Sequence, residues 1–332
     1  MVLKRLVMAL LFLGVIPASA GPRLDAIKAR GVLNCGVAVA EPGMSRAERG
    51  NYIGFEPDLC RAVAIAIFGT PKIAFKPVTT AQTFLQSNDI DIVFRGLTSS
   101  FRREAGTDIR FGPIYLYDGQ TFLVRSKMGA RTVAQLSRRS ICVSSDMYAD
   151  FMPALQLHFH DRNLVLNAKS VQTRAEAERL FFAGSCDAVT ADASELASAV
   201  IAHGGSAGEF SIFADHITKE PLAPLLRKGD DQFFDIVRWS LHALVAAEEL
   251  GITQSSADTA RAAATPDIQA FFAPPPQASG LAAGWSYAIV KQLGNYGEVF
   301  ERHLGAGTAA RLPRGLNRLG TQGGLLYAPP IR

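Results

Sequence analysis

A chain of 332 residues, 48% of them apolar and 19% charged, has the balance of a folded protein rather than a disordered one. It is also longer than one hydrophobic core usually serves, so two domains are expected. The formal net charge of +4 is small for that length, and no block of basic residues stands out, so nucleic acid is not expected as a partner.

The chain opens with Lys4 and Arg5, runs apolar from Leu6 to Pro17 and reaches Ala18-Ser19-Ala20. A positive start, an apolar middle and a small-residue exit predict a secretory signal over residues 1–20, cut after Ala20. The apolar stretch falls short of the roughly 20 residues needed to cross a bilayer. No similar run follows, so the mature chain is expected to be a soluble, periplasmic protein.

The elements follow in order. Val32–Val39 reads as a buried strand, Pro57–Phe68 as a helix stopped by Gly69, Ile73–Val78 as a strand, a short helix passes through Phe84 and Leu85, and Ile90–Phe94 is a strand. The same alternation returns with strand Ser140–Val143, a helix around Tyr148–Leu157, strand Leu164–Leu166, a helix, and strand Ala188–Ala191. Thr173-Arg174-Ala175-Glu176 fits a capping box at the start of that last helix, and Gly184 supplies its stop.

Two α/β units of this kind bind ligands at the carboxyl ends of their strands, and facing each other they enclose a cleft. Extended segments over Tyr115–Val124 and Lys219–Leu226 read as two crossings between them. Lobe 1 is therefore expected to be discontinuous, residues 21–122 and 223–332, with lobe 2 over 123–222. A helix Phe233–Leu250 with Gly251 as its stop returns to lobe 1. From about residue 273 a C-terminal extension begins, with a helix Trp285–Leu304 and a tail rich in Gly and Pro that either wraps lobe 1 or stays partly disordered.

Four cysteines, Cys35, Cys60, Cys142 and Cys186, face an oxidising compartment if the chain is exported. Sequence alone does not choose among three connectivities. Pairing Cys35 with Cys60 and Cys142 with Cys186 keeps each bridge within one lobe, whereas a bridge between lobes would resist hinge motion; free buried thiols are the alternative. No Cys-x-x-Cys or Cys/His cluster has ligand spacing, so no metal or cofactor is expected.

Several segments together resemble the polar amino-acid-binding proteins of ABC uptake systems, within solute-binding protein family 3, and their general L-amino-acid branch. They are Leu33–Val37, Asp58–Ala64, Tyr117–Gln120, Lys219–Leu222, Gly229–Trp239, Gly294–Glu298 and Tyr327–Arg332. The resemblance covers nearly all of the mature chain and implies a type II periplasmic-binding-protein fold, two α/β lobes on a two-crossing hinge that close over an amino acid. It also implies cysteines at these four positions, in agreement with pairing inside each lobe. The partners it implies are an inner-membrane ABC permease and a small-molecule ligand, with the chain acting as a monomer.

By the same resemblance, Gly96–Arg103 falls on the segment that takes the ligand carboxylate. Arg103 would hold it, since a guanidinium offers two parallel donors to a carboxylate, and Thr98 and Ser100 would add hydroxyls. On burial statistics alone Arg103 reads as a surface charge. Asp192, just after a lobe 2 strand, is implied as the partner of the ligand ammonium; on its own it reads as the N-cap of the next helix. Two positions depart from the family. Ser145-Asp146-Met147-Tyr148 replaces a carboxylate-binding turn and places negative charge there, and Met44 stands where an aromatic is usual.

Two other functions compete. One is an exported dehydratase-like enzyme with Asp192 or Glu195 as general acid, the other a degenerate ligand-sensing protein. His158 and His160 point to different helix faces and no Ser or Cys has an evident partner base, so catalysis is not expected.

Overall fold

The computed structural model of the chain describes residues 21–145, 151–263 and 265–331. The expected signal segment, and Asp146, Met147 and Tyr148 in the expected lobe 2 turn, lie outside the described residues.

Two five-stranded sheets carry the fold. The first has the order Ile73–Pro77, Leu33–Val37, Ile92–Phe94, Leu225–Arg227, Ile109–Phe111, and the second Asn167–Val171, Ser140–Ser144, Ala188–Asp192, Gln120–Arg125, Phe210–Ile212. The first three strands of each are parallel and the fourth enters antiparallel. The fourth strand of each sheet arrives by a crossing. Gln120–Arg125 follows the extended Leu116–Asp118, and Leu225–Arg227 follows Glu220–Leu222, and these two crossing strands pair antiparallel. The result is two α/β lobes joined by a two-stranded hinge.

Apolar patterning explains most of this. Leu33–Val37 is buried along its whole length, as a central parallel strand must be, and the helix Phe55–Phe68 has only Arg61 and Phe68 outside the buried set. The helix Asp231–Glu249 packs beside it, started by the Asp230 carboxylate, which accepts from Phe233 N at 2.8 Å. Both disulfides lie within a lobe: Cys35–Cys60 joins the strand Leu33–Val37 to the helix Phe55–Phe68, and Cys142–Cys186 joins the strand Ser140–Ser144 to the turn before Ala188–Asp192.

Three elements differ from the sequence expectation. The expected strand Leu164–Leu166 is instead a lead-in; the strand is Asn167–Val171, an edge strand whose exposed side tolerates Asn167, Lys169 and Ser170. The helix expected around Tyr148–Leu157 is described over Met152–Asp161, with Pro153 in its first turn, where the missing N–H costs nothing. The single helix expected over Trp285–Leu304 is two, Trp285–Leu293 and Tyr296–His303. Gly294, at φ 90°, breaks it, and Asn295 with Glu298 restarts it through a complete capping box.

The C-terminal segment packs on the first lobe. Tyr296 and Phe300 meet the Phe55 ring edge-on at 5.7 and 6.2 Å, and Tyr296 donates to Tyr115 O at 2.8 Å. Further on, Leu312, Leu319 and Leu326 are buried. Asn317 brackets the hinge, accepting from Tyr117 N at 2.7 Å and donating to Tyr117 O at 3.0 Å.

Candidate ligand-binding site

A cavity partly open to solvent lies where the two lobes and the hinge meet. Glu41, Met44, Glu56 and Arg95 enter it from the first lobe, and Asp192, Glu195 and Ser198 from the second. Asp118, on the hinge, completes the wall. Its place matches the rule that α/β units bind at the carboxyl ends of their strands.

Local structure sets each group. Glu56 sits in the first turn of the helix Phe55–Phe68, where the helix dipole favours a carboxylate, and accepts from Tyr115 Oη at 2.6 Å and from Gly96 N. Burial nonetheless pushes its carboxyl up to about 7. Arg95 is anchored by donating from Nε to Val78 O at 2.7 Å. The residues after it are laced to the hinge: Ser99 N donates to Pro221 O at 2.8 Å, and the Thr98 hydroxyl donates to Glu220 Oε2 at 2.7 Å.

Asp192 ends the strand Ala188–Asp192 and stands at the N-cap position of the helix Ala193–His203, yet makes no capping hydrogen bond. Asp118 does that work from the hinge, accepting from Gly119 N at 2.9 Å and from Ser194 N at 3.3 Å. Asp192 Oδ1 is left buried without a partner. Burial first, then Asp118, Glu195 and Glu220, hold its carboxyl well above the ordinary range.

One cation bridges the lobes. Arg174, at the start of the lobe 2 helix Arg174–Phe182, donates from Nη2 to Glu41 Oε1 and Oε2 at 3.0 and 3.3 Å. Its other nitrogens face Glu195 Oε1 at 3.0 Å and Glu178 Oε1 at 3.5 Å. Nearby, a Cβ on Gly43 would stand 2.8 Å from Ile201 Cδ1, so the turn carrying Met44 approaches lobe 2 as closely as a glycine allows. Replacing Arg174 by alanine is expected to widen the angle between the lobes and weaken ligand capture by roughly tenfold, the scale of a partly buried charge pair. Small-angle scattering of the free protein and calorimetric titration would read both, and an unchanged radius of gyration would exclude the bridge as a closure contact.

Glu195 and Glu178 are both pushed up to about 7, chiefly by burial, with Arg174 opposing the shift. With Glu56, three carboxyls therefore hold protons in the fold to near pH 7, while the unfolded chain releases them near 4.5. Between those values the folded state binds more protons, so this contribution to stability is present below about pH 4.5 and is lost as pH rises through about 7. The ligand-free protein is expected to melt lower at pH 8 than at pH 5.5 by differential scanning calorimetry, and the variant Glu178→Gln to flatten that slope.

Of the residues expected from sequence, Met44 and Asp192 enter the cavity wall. Thr98, Ser100 and Arg103 follow directly on its Arg95 and Gly96 but are not in that wall; Arg103 is exposed and donates from Nη1 to Thr98 O at 2.8 Å. The Ser145 hydroxyl lies 2.7 Å from that of Ser170, while Asp146 and Met147 lie outside the described residues. Sequence reading missed Glu41, Glu56, Arg95, Asp118, Arg174 and Ser198. The spacing Asp192, Glu195, Ser198, which puts three oxygen-bearing side chains on one helix face, was the signal available for the last of these. Among the described residues no group of His, Cys, Asp and Glu is arranged to hold a metal ion, and no helix is long and apolar enough to cross a membrane.

Residues 33–255 match the bacterial extracellular solute-binding proteins, family 3. The chain belongs to that family. This family 3 solute-binding protein is 38% identical over 98% of its length to the general L-amino acid-binding periplasmic protein AapJ of Rhizobium johnstonii, covering 96% of that protein. It is likewise 38% identical, over 96% of both chains, to the glutamate/glutamine/aspartate/asparagine-binding protein BztA of Rhodobacter capsulatus. Among solved structures it is similar to an ABC transporter periplasmic binding protein from Brucella ovis with glutathione bound, at TM-score 0.77 and 35% identity, covering 93% of this chain and 99% of that one. The family 3 protein thus has the periplasmic-binding-protein fold that its two sheets and paired crossings describe.

Proposed function

We propose that this solute-binding protein captures a polar amino acid, or a small zwitterion like it, in the periplasm and delivers it to an inner-membrane ABC permease. The observation that carries the reading is Asp192, buried between the lobes with a free carboxylate oxygen because Asp118 has taken over the helix cap. An ammonium group supplies the charge and donors that this oxygen lacks. The ligand carboxylate goes to Arg103, with Thr98 and Ser100 beside it. Ser145, just past the lobe 2 strand Ser140–Ser144, adds a hydroxyl to it as the lobes close. Closure is the signal to the permease, since a ligand that touches both lobes favours the shut form by the difference in its contacts with the two states.

The relatives are binding proteins, which supports capture without catalysis, and the periplasmic setting of AapJ and of the Brucella ovis protein supports export of this chain by residues 1–20. The test is a thermal-shift screen over the proteinogenic amino acids, with glutathione and small diamines added. It is joined to native mass spectrometry of freshly purified protein for any carried molecule. A ligand of the folded state at 100 times its Kd raises stability by about 2.7 kcal/mol, a clear shift in melting temperature. A screen silent for every amino acid and zwitterion would overturn the proposal.

A further inference from the structure

Asp230, far from the cleft, caps two helices at once while only 6% exposed. Its Oδ1 accepts from Phe233 N at 2.8 Å, at the start of the helix Asp231–Glu249. Its Oδ2 accepts from Arg23 N and Leu24 N at 2.8 and 2.9 Å, at the start of the helix Pro22–Arg30. That helix depends on a distant cap, because the residue at its own N-cap position is Gly21, which has no side chain to offer.

The carboxylate has donors but no counter-charge. Arg23, Arg227 and Lys228 line the hollow beside it, and each is committed elsewhere. Arg23 Nη1 donates to Asn88 O at 3.1 Å and meets Asp91 at 3.4 Å. Arg227 donates to Ile90 O and Phe84 O at 2.9 and 2.6 Å, and Lys228 Nζ to Thr107 O at 2.8 Å. Asp91, the other acid of that wall, is held by Arg23, Arg30 and Asn34 N. On the two capped helices, Asp25 is exposed and Asp231 pairs with Arg110 at 2.7 Å. Among the described residues Asp230 therefore has three backbone N–H partners and no ion pair. A carboxylate withdrawn from water without a cation is costly to the fold.

The chain's own nitrogen at Gly21 lies within reach. A Cβ on Gly21 would stand 2.1 Å from Asp230 Cγ and Oδ1, so only glycine lets the backbone approach so closely. Standard backbone dimensions then put the Gly21 nitrogen no more than about 4.5 Å from Oδ1. In an uncut chain that nitrogen is a neutral amide.

We propose that removal of residues 1–20 makes the Gly21 nitrogen the counter-ion of Asp230, so that the new amino terminus is seated as a structural part of the first lobe. The inference rests on the reading of residues 1–20 as an export signal cut after Ala20. Water adds across the Ala20–Gly21 amide, in a step run by a signal peptidase, and leaves a carboxylate on Ala20 and an ammonium on Gly21. The pair ties the start of the mature chain to the helix Asp231–Glu249, which packs beside Phe55–Phe68. It also holds the amine above the ordinary value of about 7.7–8.0 for a chain terminus. The stability it contributes is thus fully present below about pH 8 and is lost as pH rises through the raised value.

The test uses the full chain, exported and purified from the periplasm, whose intact mass gives the first residue. Competitive acetylation with trace acetic anhydride, read by mass spectrometry of the amino-terminal peptide, titrates the Gly21 amine from about pH 6 to about pH 11. The amine is expected to titrate at least about one unit above the ordinary value, and at the ordinary value in Asp230→Asn. Because asparagine also weakens one of the two caps, a second protein keeps Asp230 and carries Ser19-Ala20 ahead of Gly21. That protein is expected to melt about 2–4 °C lower than the one starting at Gly21 at pH 7, with the gap closing by about pH 10.5. A first residue other than Gly21 would overturn both the cut and the pair. An ordinary value for the Gly21 amine, or equal melting of the two proteins at pH 7, would overturn the pair and leave the cut standing.

Discussion

Asp192→Asn is expected to abolish capture of the ligand while leaving the ligand-free protein as stable as before, or more so. The carboxylate is buried, has one oxygen without a partner, and is pressed by Asp118, Glu195 and Glu220, so its charge is a burden to the empty fold. Asparagine keeps the shape and removes the repulsion. The helix Ala193–His203 loses no cap, because Asp118 holds Ser194 N. For the ligand the change leaves an ammonium desolvated without its counter-charge, at about 3–5 kcal/mol, or two to four orders of magnitude in Kd. Titration calorimetry reads the loss and scanning calorimetry the stability, with Arg103→Ala as companion for the carboxylate end. Undiminished affinity, or a marked drop in melting temperature, would show that Asp192 serves the fold rather than the ligand.

Replacing Cys142 and Cys186 together by alanine is expected to lower the stability of the second lobe by roughly 4 kcal/mol, and Cys35 with Cys60 that of the first by roughly 3.5 kcal/mol. These follow from the chain entropy released on opening loops of 44 and 25 residues. All four sulfurs are buried at the heart of their lobes, so no surface is altered. Because neither bridge spans the hinge, ligand affinity at a temperature where both lobes are folded is expected to stay within a factor of about two. Urea titration followed by far-ultraviolet circular dichroism would show the shifts. A loss of affinity without loss of stability would mean that the bridges shape the cleft rather than the cores.

Much of the fold was legible because apolar runs that are buried on both faces, such as Leu33–Val37 and Ala188–Asp192, mark parallel strands without reference to anything distant. Errors fell where local signals conflicted. Leu164–Leu166 is more apolar than the true edge strand Asn167–Val171, and an edge needs little burial. The break before Tyr296 was written in Gly294-Asn295 with Glu298, a capping box inside what reads as one helical run. The site was less legible still. Asp192 stands where a strand ends, which sequence can say, but Arg174 meets a glutamate 133 residues away, and nothing in either neighbourhood announces the other. That the Asp192 side chain is free of capping duty depends on Asp118, another distant residue.

Asn317 holds both backbone groups of Tyr117, from 200 residues further along the chain. A two-stranded ribbon with bare flanks twists with little resistance, whereas one clasped on its outer side behaves as a splinted joint. Removal of the C-terminal segment is thus expected to turn a stiff pivot into a slack one without touching the groups that line the cleft.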